Sequence, residues 1–262
     1  MYQAPNSPNT GPTNLLPAAS RALNTALRSS VGGMEAVNRR FSRVGNPPIF
    51  DAAAFPWVAD VESEWRSVRA ELDEVLKYPQ GIPNFQDVSI EQRAITNDDR
   101  WKTFFFYGYG LRNDANCEFC PATARVLARI PGMKTAFFSI LFPRKRIPRH
   151  RGPYNGVLRY HLGLRVPEPE RCGIIVGGER ASWREGKSLI FDDSYQHEAW
   201  NDGDDLRVVL FVDFLRPLYT PVSQLNRAFI GIASMSDFIQ AGMKRQQKWN
   251  AAFAELYNKN HA

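Results

Sequence analysis

Residues 156–166 read Gly156-Val157-Leu158-Arg159-Tyr160-His161-Leu162-Gly163-Leu164-Arg165-Val166. A strand sends successive side chains to opposite faces, so Leu158, Tyr160, Leu162 and Leu164 share one face and Arg159 and His161 the other. An apolar face backed by a cation and an imidazole is the pattern of a strand that covers a core on one side and lines a polar site on the other. Around this stretch, segments 134–142, 172–176, 187–191 and 206–214 also read as strands, separated by Pro, Gly and Asp clusters. Several short strands at this spacing predict a mainly β architecture closed as a sandwich or barrel, for which a jelly roll is one solution. Gly177-Gly178 between two of these segments predicts a hairpin turn.

The flanks change period. Val61, Trp65, Val68, Leu72, Val75 and Leu76 recur at helical spacing and predict a helix over 59–78. A second is expected over 121–130, with Pro121 in its first turn. Beyond Pro217 the pattern is helical again to about Tyr257. The expected organisation is a flexible basic segment at 1–45, a β domain at 46–220 and a helical extension at 221–262. Within 1–45, residues 1–14 are rich in Pro, Asn, Thr and Gly and read as disordered. A weak amphipathic helix is expected over 15–43, interrupted at Gly32-Gly33.

The chain has 262 residues with 44% apolar and 23% charged side chains, and a formal net charge of +6. Such usage excludes fibrous and wholly disordered classes. Residues 1–49 hold five arginines and one acid, which is +4 of that +6. The β domain itself therefore carries no nucleic-acid footprint, and no nucleic-acid partner is expected. An arginine-bearing amphipathic segment instead favours peripheral contact with an anionic membrane. Three cysteines make no disulfide framework, and neither a secretory leader nor a spanning run is read; a reduced, cytoplasmic setting is expected. Cys117-x-x-Cys120 lacks the further ligands of a zinc site and reads as structural.

Histidines are scarce: His150, His161, His197 and His261. His150 precedes one predicted strand and His197 follows another after the turn Asp192-Asp193-Ser194, so the two can converge on a metal that accepts neutral imidazole. Arg207 lies on a strand whose other residues are apolar, sharing a face with Val209 and Phe211. A buried guanidinium needs an anion, and a carboxylate fits it bidentately. The residues alone thus outline two histidines, with Arg207, Arg159 and His161, around a small anion. Arg144, Lys145, Arg146, Arg149 and Arg151 form a basic loop beside His150, able to attract an acidic peptide or a lipid phosphate.

The ordered set His150-Arg151-Gly152-Pro153-Tyr154-Asn155-Gly156, Trp183-Arg184-Glu185-Gly186, Phe191-Asp192-Asp193-Ser194-Tyr195-Gln196-His197 and Arg207-Val208-Val209 resembles the aspartyl/asparaginyl β-hydroxylase family over roughly residues 50–220. Trp101-Lys102 and Tyr107-Gly108-Tyr109-Gly110 belong to the same resemblance. Phe55-Pro56-Trp57-Val58 and the run 147–153 resemble the related bacterial lipid acyl-chain hydroxylases.

The resemblance implies a double-stranded β-helix (a cupin-like jelly roll) and an enzyme that uses iron(II), 2-oxoglutarate and O2 to hydroxylate an unactivated carbon. It implies His150 and His197 as catalytic iron ligands. It implies Ser139, Arg159, His161 and Arg207 around 2-oxoglutarate, with Arg207 on the distal carboxylate. Val209 would line that pocket and Trp101 would lie near its mouth. The expected substrate is an Asp or Asn side chain of a peptide or protein; a membrane-lipid acyl chain is the alternative, and a non-catalytic binding module a second one. The usual carboxylate ligand two residues after the first histidine is replaced by Gly152, the aspartyl-branch pattern, in which water fills that coordination position. Asp192, Asp193 and Glu198 are candidate acceptors for the second ring nitrogens of the histidines.

Overall fold

The computed structural model describes residues 18–109, 111–235 and 237–259. His261 and the segment 1–14 lie outside them. The strands form two antiparallel sheets. The larger has seven, in the order β1 (Ile49–Phe50), β9 (Ser188–Phe191), β6 (Val157–Arg165), β11 (Arg207–Leu215), β4 (Met133–Leu141), β2 (Trp101–Gly108) and β3 (Leu111–Arg112). The smaller has four, in the order β5 (Lys145–His150), β10 (His197–Asn201), β7 (Cys172–Val176) and β8 (Glu179–Ala181). The architecture is the expected one: a mainly β jelly roll with helices on its outside.

Alternation along the central strands builds two cores on opposite faces of the large sheet. Leu158, Tyr160, Leu162 and Leu164 of β6, with Val208, Leu210, Val212 and Phe214 of β11, bury one face. The helices α2 (Val58–Ser63), α3 (Trp65–Val75) and α6 (Pro121–Ala128) supply Val58, Val61, Val68, Leu72, Val75, Val126 and Leu127 to the same core. The other face is turned to the small sheet. There Trp101, Phe105, Phe137, Val209 and Phe211 meet Ile147, Ile174, Val176 and Ala199. This inner core leads to the polar site described below.

Several elements depart from the sequence pattern. The helix over 59–78 is two helices broken at Glu64, whose backbone turns at φ −94°, ψ 2°. The apolar spacing runs through the break, so periodicity does not register it. β2 is a strand where none is predicted. Its Phe104 and Phe106 face the outer core and Phe105 the inner one, so a strand apolar on both faces shows no alternation. The basic loop beside His150 is strand β5, and four of its five cations are in ion pairs: Arg144 with Asp204, Lys145 with Asp98, Arg146 with Asp202 and Arg151 with Glu35. Gly177 and Gly178 make the β7–β8 hairpin with φ of 58° and 92°.

The segment 1–45 is not uniformly flexible either. α1 (Ala18–Arg40) runs unbroken through Gly32-Gly33. Its second half is fixed by tertiary contacts that outweigh the low helix propensity of glycine. The Asn38 side chain donates to Tyr154 Oη at 2.8 Å and to Asn155 Oδ1 at 3.1 Å. Asn155 Nδ2 donates in turn to the Glu35 carbonyl at 3.0 Å. α7 (Val222–Ser234) packs beside α1, and α8 (Asp237–Lys259) brings Phe253 to the outer core. Among the described residues no helix is long and apolar enough to cross a membrane.

Candidate active site

β5 ends at His150 and β10 begins at His197, and the two residues are paired across the ladder. Their ring centroids are 4.1 Å apart. His150 Nδ1 lies 2.8 Å from the Pro148 carbonyl, and His197 Nδ1 lies 2.9 Å from the Tyr195 carbonyl. A carbonyl can only accept, so each Nδ1 carries the proton and each Nε2 keeps its lone pair. Burial, together with the neighbouring His150 and Arg159, pushes His197 down to about 3, and burial also lowers His150. Both rings are therefore held neutral and in one tautomer, their centroids side by side. That is the protonation state a metal requires. The acceptors that set it are main-chain carbonyls, not the side chains of Asp192, Asp193 or Glu198. Among the described residues no group of three or more His, Cys, Asp or Glu side chains converges as a metal cage; the two imidazoles form a pair.

Gly152 is the reason the constellation stops at two. Its N–H donates to the Asp193 carbonyl at 2.7 Å. A Cβ added at 152 would overlap the Cγ, Oδ1 and Oδ2 atoms of Asp193. The Asp193 side chain, delivered by the turn between β9 and β10, thus fills the space that a side chain at 152 would need. Asp193 is buried, and its Oδ1 has no hydrogen-bond partner. Burial pushes its pKa up to about 6, Arg159 pulls it down, and Asp213 and Asp192 push it up. Sequence reasoning places Asp193 near the site but misses this role. The signal is a glycine two residues after His150 paired with a carboxylate four residues before His197.

The large sheet carries the residues expected to hold an anion. Arg207 on β11 is 2% exposed, and its Nε and Nη1 have no hydrogen-bond partner among the described residues. Its guanidinium sits 4.5 Å from the centroid of the Trp183 ring. Burial lowers its pKa to about 10. A lone buried guanidinium is costly unless an anion is to join it. On β6, His161 Nδ1 accepts from Trp183 Nε1 at 3.1 Å, which leaves the proton on His161 Nε2. That Nε2 is buried without a partner. Burial and the charges of Arg207 and Arg159 push His161 far down, so it is a neutral donor. Ser139 on β4 accepts from Trp101 Nε1 on β2 at 3.1 Å. Val209 is fully buried and lies opposite Ser139 in the ladder. These unsatisfied donors beside an apolar wall fit a small dicarboxylate such as 2-oxoglutarate.

Arg159 occupies a different place. It bonds Asp213 at 2.9 Å and Asp193 at 2.8 Å, and it covers the Phe211 ring at 4.3 Å. Burial opposes its charge, but the two carboxylates outweigh burial and raise its pKa. Arg159 thus already has its anions, and its visible work is to fix Asp193 beside the histidines. The same turn is anchored from behind by the buried Arg216–Asp192 pair.

Comparison with known proteins shows the family. The aspartyl/asparaginyl β-hydroxylase family model matches residues 62–217. The ornithine lipid ester-linked acyl 2-hydroxylase of Rhizobium tropici is 46% identical over 233 residues, covering 88% of this chain and 83% of that protein. The human aspartyl/asparaginyl β-hydroxylase is 34% identical over 169 residues, covering 63% of this chain and 22% of that longer protein. Among solved structures, a Pseudomonas putida prolyl-4-hydroxylase matches 58% of this chain and 87% of its own, at 15% identity and a TM-score of 0.40. The chain is a member of the aspartyl/asparaginyl β-hydroxylase family of carbon-hydroxylating enzymes.

Proposed function

We propose that the protein is an iron(II)- and 2-oxoglutarate-dependent hydroxylase of a membrane-lipid acyl chain, acting on an ester-linked acyl group of an ornithine-type lipid in the cytoplasm. The observation that carries the substrate is the reach of the Rhizobium similarity. It extends well beyond the 62–217 core into the flanking helical segments, whereas the human protein matches a smaller part of the chain. This favours the lipid alternative over the peptide substrate that Gly152 suggests.

Iron(II) with 2-oxoglutarate and O2, when bound, supplies an oxidant that replaces C–H by C–OH while 2-oxoglutarate leaves as succinate and CO2. The chain's own residues prepare the place. His150 and His197 would hold the metal through Nε2, with their Nδ1 protons pinned on carbonyls. Arg207 would take the distal carboxylate of the co-substrate, and its burial makes that pairing strong. His161 Nε2–H adds a neutral donor. Trp101, Phe137, Val209 and Phe211 keep water out. Asp193, held by Arg159 through Oδ2, would keep Oδ1 as a buried hydrogen-bond acceptor on the turn that carries His197.

The test is turnover of ornithine lipid in mixed micelles with iron(II), 2-oxoglutarate and O2. One oxygen atom added to the ester-linked acyl group, matched one to one by succinate, is the expected result. Hydroxylation of an Asp- or Asn-bearing peptide and not of lipid would return the substrate to the aspartyl branch.

A further inference from the structure

Helix α7 has an apolar stripe on the wrong side for a solvated helix. Val222, Asn226 and Ile230 are its buried face. The face away from the core carries Leu225, Ala228, Ile232 and Met235, at steps of three and four. Leu225 is 52%, Ile232 46% and Met235 72% exposed. A helix that shows water an apolar stripe of this kind has an unfilled contact. The chain entering α7 continues the feature. Tyr219 is exposed, and its N–H bonds the carbonyl of the exposed Phe41 at 3.0 Å.

The surrounding charge has one sign. Arg39, Arg40, Arg43 and Arg227 are exposed. The Arg40 guanidinium lies 6.0 Å from the Phe41 ring centroid and that of Arg43 lies 5.8 Å from the Tyr219 centroid. No acidic residue occurs in 36–50 or in 214–236. Glu35, just before the first stretch, is buried between Arg151 and Arg39, 3.9 Å from the latter, which leaves Arg40, Arg43 and Arg227 as the cations that face outward. A symmetric pairing of two copies through this surface would bring like charges together. Anionic headgroups above an acyl interior satisfy the arginines and the stripe at once.

We propose that α7 and the C-terminal end of α1 dock on an anionic phospholipid bilayer, with Leu225, Ile232 and Met235 inserted and Arg40, Arg43 and Arg227 among the headgroups. The docked helices hold the loop that follows His150. Tyr154 Oη donates to Asn226 Oδ1 at 2.8 Å, its ring lies 5.0 Å from Phe229, and Arg151 bonds Glu35 of α1. Arg151 and Tyr154 are in the loop that follows His150. Docking therefore fixes that loop at the membrane surface, which rests on the lipid reading for its purpose and on the patch alone for its occurrence.

Co-sedimentation of the full chain with phosphatidylglycerol/phosphatidylcholine vesicles tests this, with pure phosphatidylcholine vesicles as control. Binding to the anionic vesicles is expected, falling steeply with salt. The combined Arg40→Gln, Arg43→Gln and Arg227→Gln variant should lose on the order of a hundredfold in partition at low salt. Leu225→Gln with Ile232→Gln should lose on the order of tenfold or more, with an unchanged unfolding midpoint. If that pair fails to fold, Met235→Cys carrying an environment-sensitive dye replaces it: a blue shift on anionic vesicles supports insertion, and no shift opposes it. Undiminished vesicle binding in the variants overturns the proposal. So does a wild-type dimer that the apolar variants dissociate, which would assign the stripe to a second copy. Sedimentation needs no iron or co-substrate, so vesicle binding without acyl hydroxylation would fault the substrate and leave the docking surface standing.

Discussion

The Cβ that Gly152 lacks would fall inside the carboxylate of Asp193. The two positions are 41 residues apart and share one side chain's worth of space. Gly152→Asp should therefore not restore a three-residue ligand set. We expect it to cost about 1–3 kcal/mol in urea unfolding, by overpacking against a buried turn. The double variant Gly152→Asp with Asp193→Gly should recover most of that loss. A thermodynamic cycle over the four proteins measures the coupling, and additive losses would contradict shared space.

Arg207 gives a variant whose stability and binding move in opposite directions. Its guanidinium is buried with two nitrogens unpartnered among the described residues. Arg207→Met keeps the volume and removes the uncompensated charge. The ligand-free protein should unfold at the same or a higher urea concentration. The same change should weaken 2-oxoglutarate binding by roughly two to five kcal/mol, read by anaerobic titration of the visible absorption of the iron complex. Unchanged co-substrate binding would remove Arg207 from the pocket.

Acid should destabilise the metal-free protein in a defined window. Folded, His197 stays neutral down to about pH 3 against an ordinary value of 6.5, because burial and neighbouring charge oppose its protonation. Between those values the unfolded chain binds the extra proton. The stability is then fully present above 6.5 and is lost as pH falls toward 3, by up to about 1.4 kcal/mol per pH unit for this group. His150 and His161 act in the same direction. Urea midpoints measured from pH 7.5 to 4 should fall, and His197→Asn should flatten the slope.

Removal of the N-terminal segment should depend on where the cut falls. Deleting residues 1–45 strips Glu35 and Asn38 from Arg151, Tyr154 and Asn155. We expect a lower unfolding temperature and weaker iron(II) binding, since the loop after His150 loses its braces. The single change Asn38→Ala should cost about 1–3 kcal/mol for the same reason. A cut that spares Glu35 and Asn38 should cost less. Equal effects from the two deletions would contradict the bracing.

The central strands are legible in the sequence because their chemistry alternates: Leu158 to Leu164 and Val208 to Phe214 face one way, His161, Arg207 and Val209 the other. That alternation is enough by itself to gather His161, Arg207 and Val209 on one face. β2 is illegible because Phe104, Phe105 and Phe106 are buried on both faces. β5 is illegible because Arg144, Lys145, Arg146 and Pro148 resemble a loop. Their acid partners are remote in sequence, and an edge strand tolerates proline. The Asp193–Gly152 relationship depends on two chain segments meeting at the β5–β10 ladder, which no local pattern encodes. Arg159 groups with Arg207 in the sequence because both are arginines on apolar strands. Asp213 lies opposite Arg159 in the β6–β11 ladder, and only the ladder register shows that.

His150 and His197 belong to the four-stranded sheet, and His161 and Arg207 to the seven-stranded one. A metal held by the first and a dicarboxylate held by the second would meet across the seam and tie the two layers together like a rivet. Occupancy then becomes a mechanical property of the molecule. Each ligand should raise the melting temperature in proportion to the logarithm of its concentration. The pair together should raise it by more than the sum of each alone, because either one half-closes the seam for the other. Inactivation by heat should accordingly begin with the layers parting, before the strands within either one separate.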